Sequence, residues 1–578
     1  MTKSEIVAAL DEIGTLLELT GENDFRVRAY KNGARALDQL EGDFKQLVAS
    51  GTLSKTRGIG DALQEKITTL FNTGSLNYLD ELRASVPPGL LEMLKLPGIG
   101  PQKVKLLHSV LQIDTIEKLK IACDRDQVSQ VKGFGKKTQT KILEGIAYLG
   151  TIGQRVRMDL ARALADVLID QIRALPGVIR AVVCGSVRRG RETAKDIDIL
   201  VSSANAEPIM DAFVKFPQVL KVVNHGPTKS SIVAQLNVDG EAVVLNVDLR
   251  VVQDSEFPYA VVYFTGSKEH NIRLRQRAIE RDLSLNEYAL AGESKSVTCE
   301  TEQELYTALD LEYVPPELRE DTGEIEAAEK KELPKLLEYS DIRGVFHNHT
   351  TASDGKATLE VMAKQAQALG WEYFGVADHS QSLTVANGLS ADRVREQWKL
   401  IDELNKSFKN FRIFKGIESD ILLDGSLDYD DDVLAGFDYI VASVHSHFNL
   451  SEDEQTERIC KAIANPFTTM LGHATGRLLL RRPAYKLDIE RVLQTAAKHN
   501  TMIEINAQPS RLDLEWTHVK RAKALGVKIV INPDAHTPAE LALTEYGVTV
   551  ARRGWLSKAD VFNTMKLDDV MKELKRVT

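Results

Sequence analysis

Apolar residues recur at helical spacing from the start of the chain: Ile6, Leu10, Ile13 and Leu17 fall on one face, which predicts an opening amphipathic helix. Helical periodicity runs on to about residue 150, broken by three short turns of the form Gly-apolar-Gly. From residue 178 the period changes. Val178-Ile179-Arg180-Ala181-Val182-Val183, Ile197 to Val201 and Ala242 to Val252 read as strands, and a helical stretch follows from Asn271 to Arg281. Residues 312–340 carry Pro315-Pro316 and a charged run, Glu317 to Glu332, with few large apolar side chains. That composition predicts a linker whose polar part could be partly helical. Beyond it, short apolar strands alternate with helices: Phe374-Gly375-Val376-Ala377, Tyr439-Ile440-Val441-Ala442, Met502-Ile503-Glu504-Ile505 and Lys528-Ile529-Val530-Ile531. The alternation predicts a parallel α/β barrel or sheet.

At 578 residues the chain is too long for one core, so three or four domains are expected. A composition of 43% hydrophobic and 27% charged residues is that of a globular protein. No apolar run approaches the roughly 20 residues that span a bilayer, and Met1-Thr2-Lys3-Ser4-Glu5 does not open an export signal, so no membrane association is expected. Cys123, Cys184, Cys299 and Cys460 are far apart and form no metal-type pair, which suits reduced thiols in the cytoplasm.

The net charge of -10 argues against a nucleic-acid partner only until it is split by position. Residues 1–300 hold 39 Lys and Arg against 38 Asp and Glu, whereas residues 301–578 hold 34 against 45. The first part can therefore carry basic faces, and the second is acidic. Nine of the 12 histidines lie after residue 340, in that acidic part, where metal ligands are expected.

Gly58-Ile59-Gly60, Gly98-Ile99-Gly100 and Gly133-Phe134-Gly135 each precede a helical pattern, and Lys103, Lys105, Lys136 and Lys137 follow two of them. A single such turn could be an ordinary helix cap. Three of them predict helix-hairpin-helix modules, whose backbone N–H groups and helix dipole grip a DNA phosphate without reading sequence. Further on, Gly185-Ser186-Val187-Arg188-Arg189-Gly190-Arg191 follows a strand and Asp196-Ile197-Asp198 opens the next. Residues i and i+2 of a strand face the same side, so both carboxylates project together, and Asp248 could meet them from a neighbouring strand. Three carboxylates suit two Mg²⁺ ions in nucleotidyl transfer, with Ser186 and Arg189 placed for phosphate. The alternative is that the Asp-x-Asp pair merely solvates an edge strand.

The string GSVRRGRETAKDIDIL resembles the palm motif of family X DNA polymerases, and the resemblance extends over residues 1–315. It implies that Asp196, Asp198 and Asp248 are catalytic metal carboxylates using Mg²⁺ or Mn²⁺, with Gly185, Ser186 and Arg189 at the nucleotide. Tyr263-Phe264-Thr265-Gly266-Ser267 resembles the contact to the nucleotide sugar, at Tyr263, Phe264 and Gly266, and Asn271 matches a residue at the incoming base's minor-groove edge. Leu285-Asn286-Glu287-Tyr288 is another family string. Lys268 departs from the pattern, standing where animal polymerase beta has an acidic residue, and could touch the incoming nucleotide. The first domain resembles the family's lyase domain, including Phe25-Arg26-Val27-Arg28-Ala29-Tyr30, and Lys66 matches the Schiff-base lysine. Ala62 replaces a second lysine of that pocket, so Lys66 as an ordinary helix-surface lysine stays open.

In the last part His347-Asn348-His349 puts two imidazoles on one strand face, with Asp354 following. His379, Glu418, His445, His473, Asp534 and His536 recur at the C-terminal ends of predicted strands, where barrel enzymes place their chemistry. The pattern resembles the PHP (polymerase and histidinol phosphatase) domain, with all nine ligand positions recognisable. The resemblance implies a distorted (β/α)7 barrel with three divalent metals, of which Mn²⁺, Zn²⁺ and Fe²⁺ suit the ligands. One would take His347, His349, Glu418 and Asp534, a second Glu418, His445 and His473, and a third Asp354, His379 and His536. His447 lies outside the nine, either at substrate or simply exposed.

The expected architecture is multidomain α+β and α/β: a lyase-like helix-hairpin-helix domain (1–90), a further helix-hairpin-helix region (91–150), a nucleotidyltransferase palm (151–253), a nucleotide-selecting subdomain (254–315), a linker (316–340) and a PHP domain (341–578). The resemblance implies a template-directed polymerase that fills short gaps in base excision repair or end joining. The PHP domain would add 3′-5′ exonuclease, 3′-end processing and AP-endonuclease activity. Partners would be gapped or nicked DNA and dNTPs; the chain would be a monomer, cytoplasmic and associated with the nucleoid. The alternative is a PHP phosphatase of a small phosphate ester with a DNA-targeting N-terminal half.

Overall fold

The structure, a computed structural model, describes residues 1–575 apart from 2, 39, 41–43, 95, 97, 98, 153, 154, 294 and 295. It forms two compact units, Met1–Gln154 with Leu236–Val243, and Arg155–Gln235 with Val244–Thr578.

The N-terminal unit is helical, and Ile6, Leu10, Ile13 and Leu17 are buried as their spacing requires. Gly58 and Gly133 hold φ of 98° and 93°, a left-handed conformation that glycine reaches at no steric cost. Between each glycine pair the apolar residue, Ile59 or Phe134, turns into the core. Both turns carry the same side-chain brace: Gln64 Oε1 accepts from Ser54 N and Gln139 Oε1 from Ser129 N, each at 2.8 Å. Gly60 and Gly100 stand at the N-caps of the helices Asp61–Thr73 and Pro101–Leu111, and Gly135 directly precedes Lys136–Ile152. Gly98 lies outside the described residues.

The second unit opens with α1 (Met158–Arg173), whose Leu160, Leu164, Leu168 and Ile172 bury one face, and the short α2 (Gly185–Arg188). Five strands, β1 (Arg180–Val183), β2 (Asp196–Ser202), β3 (Val219–His225), β4 (Lys229–Val238) and β5 (Glu241–Val252), pair in the order β1-β2-β5-β4-β3. Then come α3 (Phe257–Thr265), α4 (Lys268–Ile279) and α5 (Glu324–Lys330).

Residues 316–340, expected as a linker, are packed. Leu318, Ile325 and Ala328 share a core with Leu274 and Tyr306, and Leu337 enters the barrel core. The charged residues that suggested solvent find partners inside: Arg319 donates to Glu302 Oε1 at 2.7 Å, and Glu324 Oε1 lies 2.6 Å from His270 Nδ1. Paired charge can be buried, so composition misjudged this stretch.

Seven parallel strands follow in consecutive order: β6 (Gly344–Val345), β7 (Tyr373–Val376), β8 (Arg412–Asp420), β9 (Tyr439–Ser443), β10 (Met470–Leu471), β11 (Met502–Asn506) and β12 (Ile529–Asn532). A parallel bridge from Asn348 to Ala535 brings the first and last strands together, giving a nearly closed (β/α)7 barrel. Phe346, Tyr373, Phe414, Tyr439, Met470, Met502 and Val530 fill its interior. Gly416 is required there: a Cβ would lie 2.1 Å from the Tyr439 ring. Helices α6 (Trp516–Ala524) and α7 (Thr544–Arg553) flank β12.

Candidate active sites

The palm cluster follows from strand register. β2 and β5 run parallel with Asp198 opposite Asp248 and Asp196 opposite Asn246, so the i, i+2 pair and the third carboxylate share one edge. Asp196 is exposed and the other two are half-buried. Burial, reinforced by Asp196 and Asp248, pushes the Asp198 carboxyl up to about 6. Lys229 on β4, which sequence reasoning missed, offsets part of this charge, its Nζ lying 2.7 Å from Asp248 Oδ2. Gly185 (φ 62°) passes so close that a Cβ would stand 2.2 Å from Asp198 Oδ2.

The turn around α2 faces the same cluster, with Ser186 half-buried. Arg188 donates to Thr265 Oγ1 at 2.7 Å and grips both oxygens of Glu302. Arg189 donates through Nε to Glu320 (3.0 Å) and through Nη1 to the Thr265 carbonyl (2.8 Å). Tyr263 and Phe264 end α3 with their rings edge-on at 5.0 Å, and the Arg250 guanidinium lies 4.9 Å from the Phe264 ring. Asn271, matched to a base contact, donates to the Tyr263 carbonyl at 2.7 Å and so braces this turn. Gly266 makes room for it, since a Cβ would stand 2.4 Å from Asn271 Oδ1. Lys268 is exposed at the start of α4. Cys184, Asp198, Lys229, Asp248, Arg250 and Phe264 enclose a small cavity.

The barrel brings together all nine expected ligands. His349, Asp354, His379 and His536 offer donor atoms within 4.8 Å of one another, as do His347, His349 and Asp534, and His379, Glu418 and His445. The expected set of Asp354, His379 and His536 lies within the first group and His347, His349 and Asp534 form the second, while His349 belongs to both and His379 reaches Glu418 (2.8 Å) as well as Asp354 (3.5 Å). His473 joins through Glu418 Oε1 at 2.9 Å. Side chains from opposite walls converge at the barrel's mouth, which linear spacing could not resolve.

Models of five families match the chain: a helix-hairpin-helix domain at 1–76, a SAM-like helix-hairpin-helix tandem at 90–147, the DNA polymerase beta palm at 155–248, the DNA polymerase beta thumb at 260–320, and the PHP domain at 346–508. The chain is 38% identical to the DNA polymerase/3'-5' exonuclease PolX of Bacillus subtilis strain 168 over 580 aligned positions, covering all of both proteins. The chain belongs to the family X DNA polymerases that carry a PHP domain. A probable phosphatase of Thermoanaerobacter sp. strain X514 is 30% identical over 245 positions, which span 40% of this chain and 94% of the phosphatase.

The family's barrel cluster rests on residues that the sequence reading left unassigned. β11, the strand that supplied no expected ligand, carries Glu504. Its Oε1 lies 2.7 Å from His347 Nδ1 and accepts from Asn532 Nδ2 at 3.0 Å, while Oε2 accepts from His473 N at 2.8 Å. Asp420 holds His445 Nδ1 at 2.5 Å. A carboxylate on one ring nitrogen fixes the tautomer and turns the other toward a metal. The only sequence signal was a lone acid inside an apolar strand.

The donors fit divalent metals. His347 Nε2 and His349 Nδ1 are buried without a hydrogen bond, and His347 Nε2 lies 3.3 Å from Glu418 Oε1 and 3.7 Å from Asp534 Oδ1. Burial opposes charge on Glu418, yet His445, His347 and His379 hold it well below the usual carboxylate range. Burial also opposes charge on His347, yet Glu504, Glu418 and Asp534 raise it well above the usual histidine range, whereas burial beside His536 and His379 pushes His349 down to about 4. So dense a set of buried carboxylates calls for cations, which metals supply better than protons.

Elsewhere, Lys66 is half-buried with its Nζ 5.3 Å from the Tyr78 ring, which stacks on Tyr30 and accepts from Arg26 at 2.9 Å. His447 is exposed just beyond β9.

Proposed function

We propose that the chain is a template-directed DNA polymerase that fills short gaps in DNA repair and trims 3′ ends with its PHP barrel. The observation that carries this reading is that one chain holds both a carboxylate trio in strand register and a cup of eight clustered histidines and carboxylates, which His473 joins through Glu418. In the palm, Asp196, Asp198 and Asp248 would hold Mg²⁺ or Mn²⁺. Gly185, Ser186 and Arg189 bind the triphosphate, with exposed Lys268 adding charge to the nucleotide. The turn of Tyr263, Phe264 and Gly266, braced by Asn271, walls the sugar. In the barrel, His347, His349, Asp354, His379, Glu418, His445, His473, Asp534 and His536 would hold three ions drawn from Mn²⁺, Zn²⁺ and Fe²⁺. Divalent ions in the two clusters supply the Lewis-acid charge that phosphoryl chemistry needs.

Gly58, Gly60, Gly98, Gly100, Gly133 and Gly135 place backbone N–H groups on the phosphates of gapped or nicked DNA. Lys66, with Tyr30, Tyr78 and Arg26 around it, serves as a lyase nucleophile on abasic sugar. The barrel also removes blocked 3′ ends and incises abasic sites. The chain acts as a monomer in the cytoplasm on nucleoid DNA; among the described residues no helix is long and apolar enough to cross a membrane.

The test uses a labelled primer on a one-nucleotide gap with Mn²⁺, with and without dNTPs. Asp196→Ala/Asp198→Ala should abolish extension alone, and His347→Ala/His349→Ala should abolish 3′ degradation alone. The likeness to the probable phosphatase favours one second reading, a barrel that hydrolyses small phosphate esters. Loss of neither DNA activity in either variant would move that reading to the front.

A further inference from the structure

The palm's phosphate-binding turn leans on the PHP barrel through buried groups that belong to neither cluster. Arg553, at the end of α7, has no exposed surface and stacks 4.9 Å from the Trp516 ring of α6. Its Nη1 donates to the Arg189 carbonyl at 2.8 Å and to Glu320 Oε1 at 3.3 Å. Glu320 in turn accepts from the side chains of Arg189 (3.0 Å) and Arg191 (3.3 Å). One turn earlier on α7, Thr549 occupies the space that a side chain at residue 190 would need. A Cβ on Gly190, whose φ is 66°, would stand 2.3 Å from Thr549 Cγ2. The Arg189-Gly190-Arg191 backbone is therefore fixed from behind by a barrel helix, while the Arg189 side chain reaches forward to Thr265 beside the nucleotide turn.

We propose that Arg553 is a positioning residue for nucleotidyl transfer: the nuclease barrel sets the Arg189 turn and with it the affinity of the palm for the incoming triphosphate. Arg553 touches neither the carboxylate trio nor the nine barrel ligands, so its effect should fall on one activity. A buried guanidinium that holds a carbonyl and a carboxylate defines a unique backbone position, and loss of preorganisation weakens binding before chemistry. The proposal rests on Arg189 as a triphosphate ligand, and the experiment separates the two ideas.

Full-length Arg553→Met, Arg189→Met and the double variant would be compared for KM(dNTP) and kcat in gap filling and for 3′-5′ exonuclease rate. The expected result is a rise of about tenfold in KM(dNTP) for Arg553→Met, the size of one lost charged hydrogen bond. The kcat for extension and the exonuclease rate should stay near wild type, and the double variant should bind dNTP little worse than Arg189→Met alone. If Arg189→Met raises KM and Arg553→Met does not, or if the two effects add in full, the positioning role is wrong. If Arg189→Met leaves KM unchanged, the triphosphate assignment of Arg189 fails and the proposal with it. Should Arg553→Met fail to fold, Thr549→Leu, at a half-buried position, presses directly on Gly190. It should raise KM(dNTP) with exonuclease intact, and an unchanged KM would overturn the proposal.

Discussion

Replacing Glu504 with glutamine removes one charge and almost no volume from the barrel floor, so its consequences can be worked from hydrogen bonds alone. The carboxylate receives His347 Nδ1, Asn532 Nδ2, His473 N and Asn506 Nδ2, at 2.7, 3.0, 2.8 and 3.3 Å, and is fully buried. An amide can offer only one oxygen to these four donors, and its NH₂ must face two of them. If that NH₂ meets His347, the imidazole loses the acceptor that keeps its proton on Nδ1 and its Nε2 free. If it meets His473 N, a buried backbone donor is orphaned, at a cost of about 1–3 kcal/mol. Loss of such an orienting carboxylate along the first route lowers metal affinity by about 10–100-fold, or about 1.4–2.7 kcal/mol, whereas the second route leaves His347 its acceptor and lowers the melting temperature instead. The assay is Mn²⁺ titration of 3′-5′ exonuclease on a labelled 3′ end. Glu504→Gln should shift the activation midpoint upward by that factor and recover much of its rate at saturating metal, while gap filling stays unchanged. A midpoint and a melting temperature both equal to those of wild type would refute the claim that Glu504 orients His347.

Three more outcomes follow from the same structure. Gly185→Ala places a methyl group against Asp198 and adopts a backbone conformation that alanine resists. Displacing a metal carboxylate forfeits several kcal/mol of charge stabilisation, so gap filling should fall by at least about 10²-fold with exonuclease intact; normal extension would show that Asp198 can move freely. Lys66→Ala should abolish borohydride trapping of the chain on abasic DNA, and undiminished trapping would assign the Schiff base to another amine. In the fold, burial holds the His270 imidazole below its usual 6.5 although Glu324 pulls it up, and Glu324, despite burial, is held below its usual 4.5 by His270 and the Thr322 backbone. Both depressed values mean that the unfolded chain binds protons first, so stability is lost as pH falls through 6.5 and again below 4.5. The melting temperature should drop between pH 7 and 5, and His270→Gln should flatten that slope; an unaltered slope would place the titration elsewhere.

Much of the molecule was legible in the chain because its chemistry is carried at short range. Asp196 and Asp198 share a face by the twofold period of a strand, whatever they pack against. His347 and His349, expected on one strand face, lie just past the two-residue strand β6 and still converge, with ring centroids 5.3 Å apart; Gly58 and Gly133 mark turns that few other residues could make. Histidines and carboxylates at successive strand ends suited a parallel barrel or sheet, and the resemblance to the PHP domain chose the barrel.

Other features depended on partners far along the chain. Glu504 orients His347 from 157 residues away, and Arg553 meets Arg189 across 364. Lys229 finds Asp248 only because β4 and β5 lie side by side. A lone charge in an apolar strand, or in a proline-rich run, signals only a burial penalty; which opposite charge cancels it is decided by packing. For the same reason the run from Glu317 to Glu332 read as part of a linker, although Arg319 and Glu324 lie at zero exposure. The period and spacing of residues determined the elements and the ligand types, and the tertiary structure alone decided which charges meet, because Coulomb and hydrogen-bond partners are chosen in space.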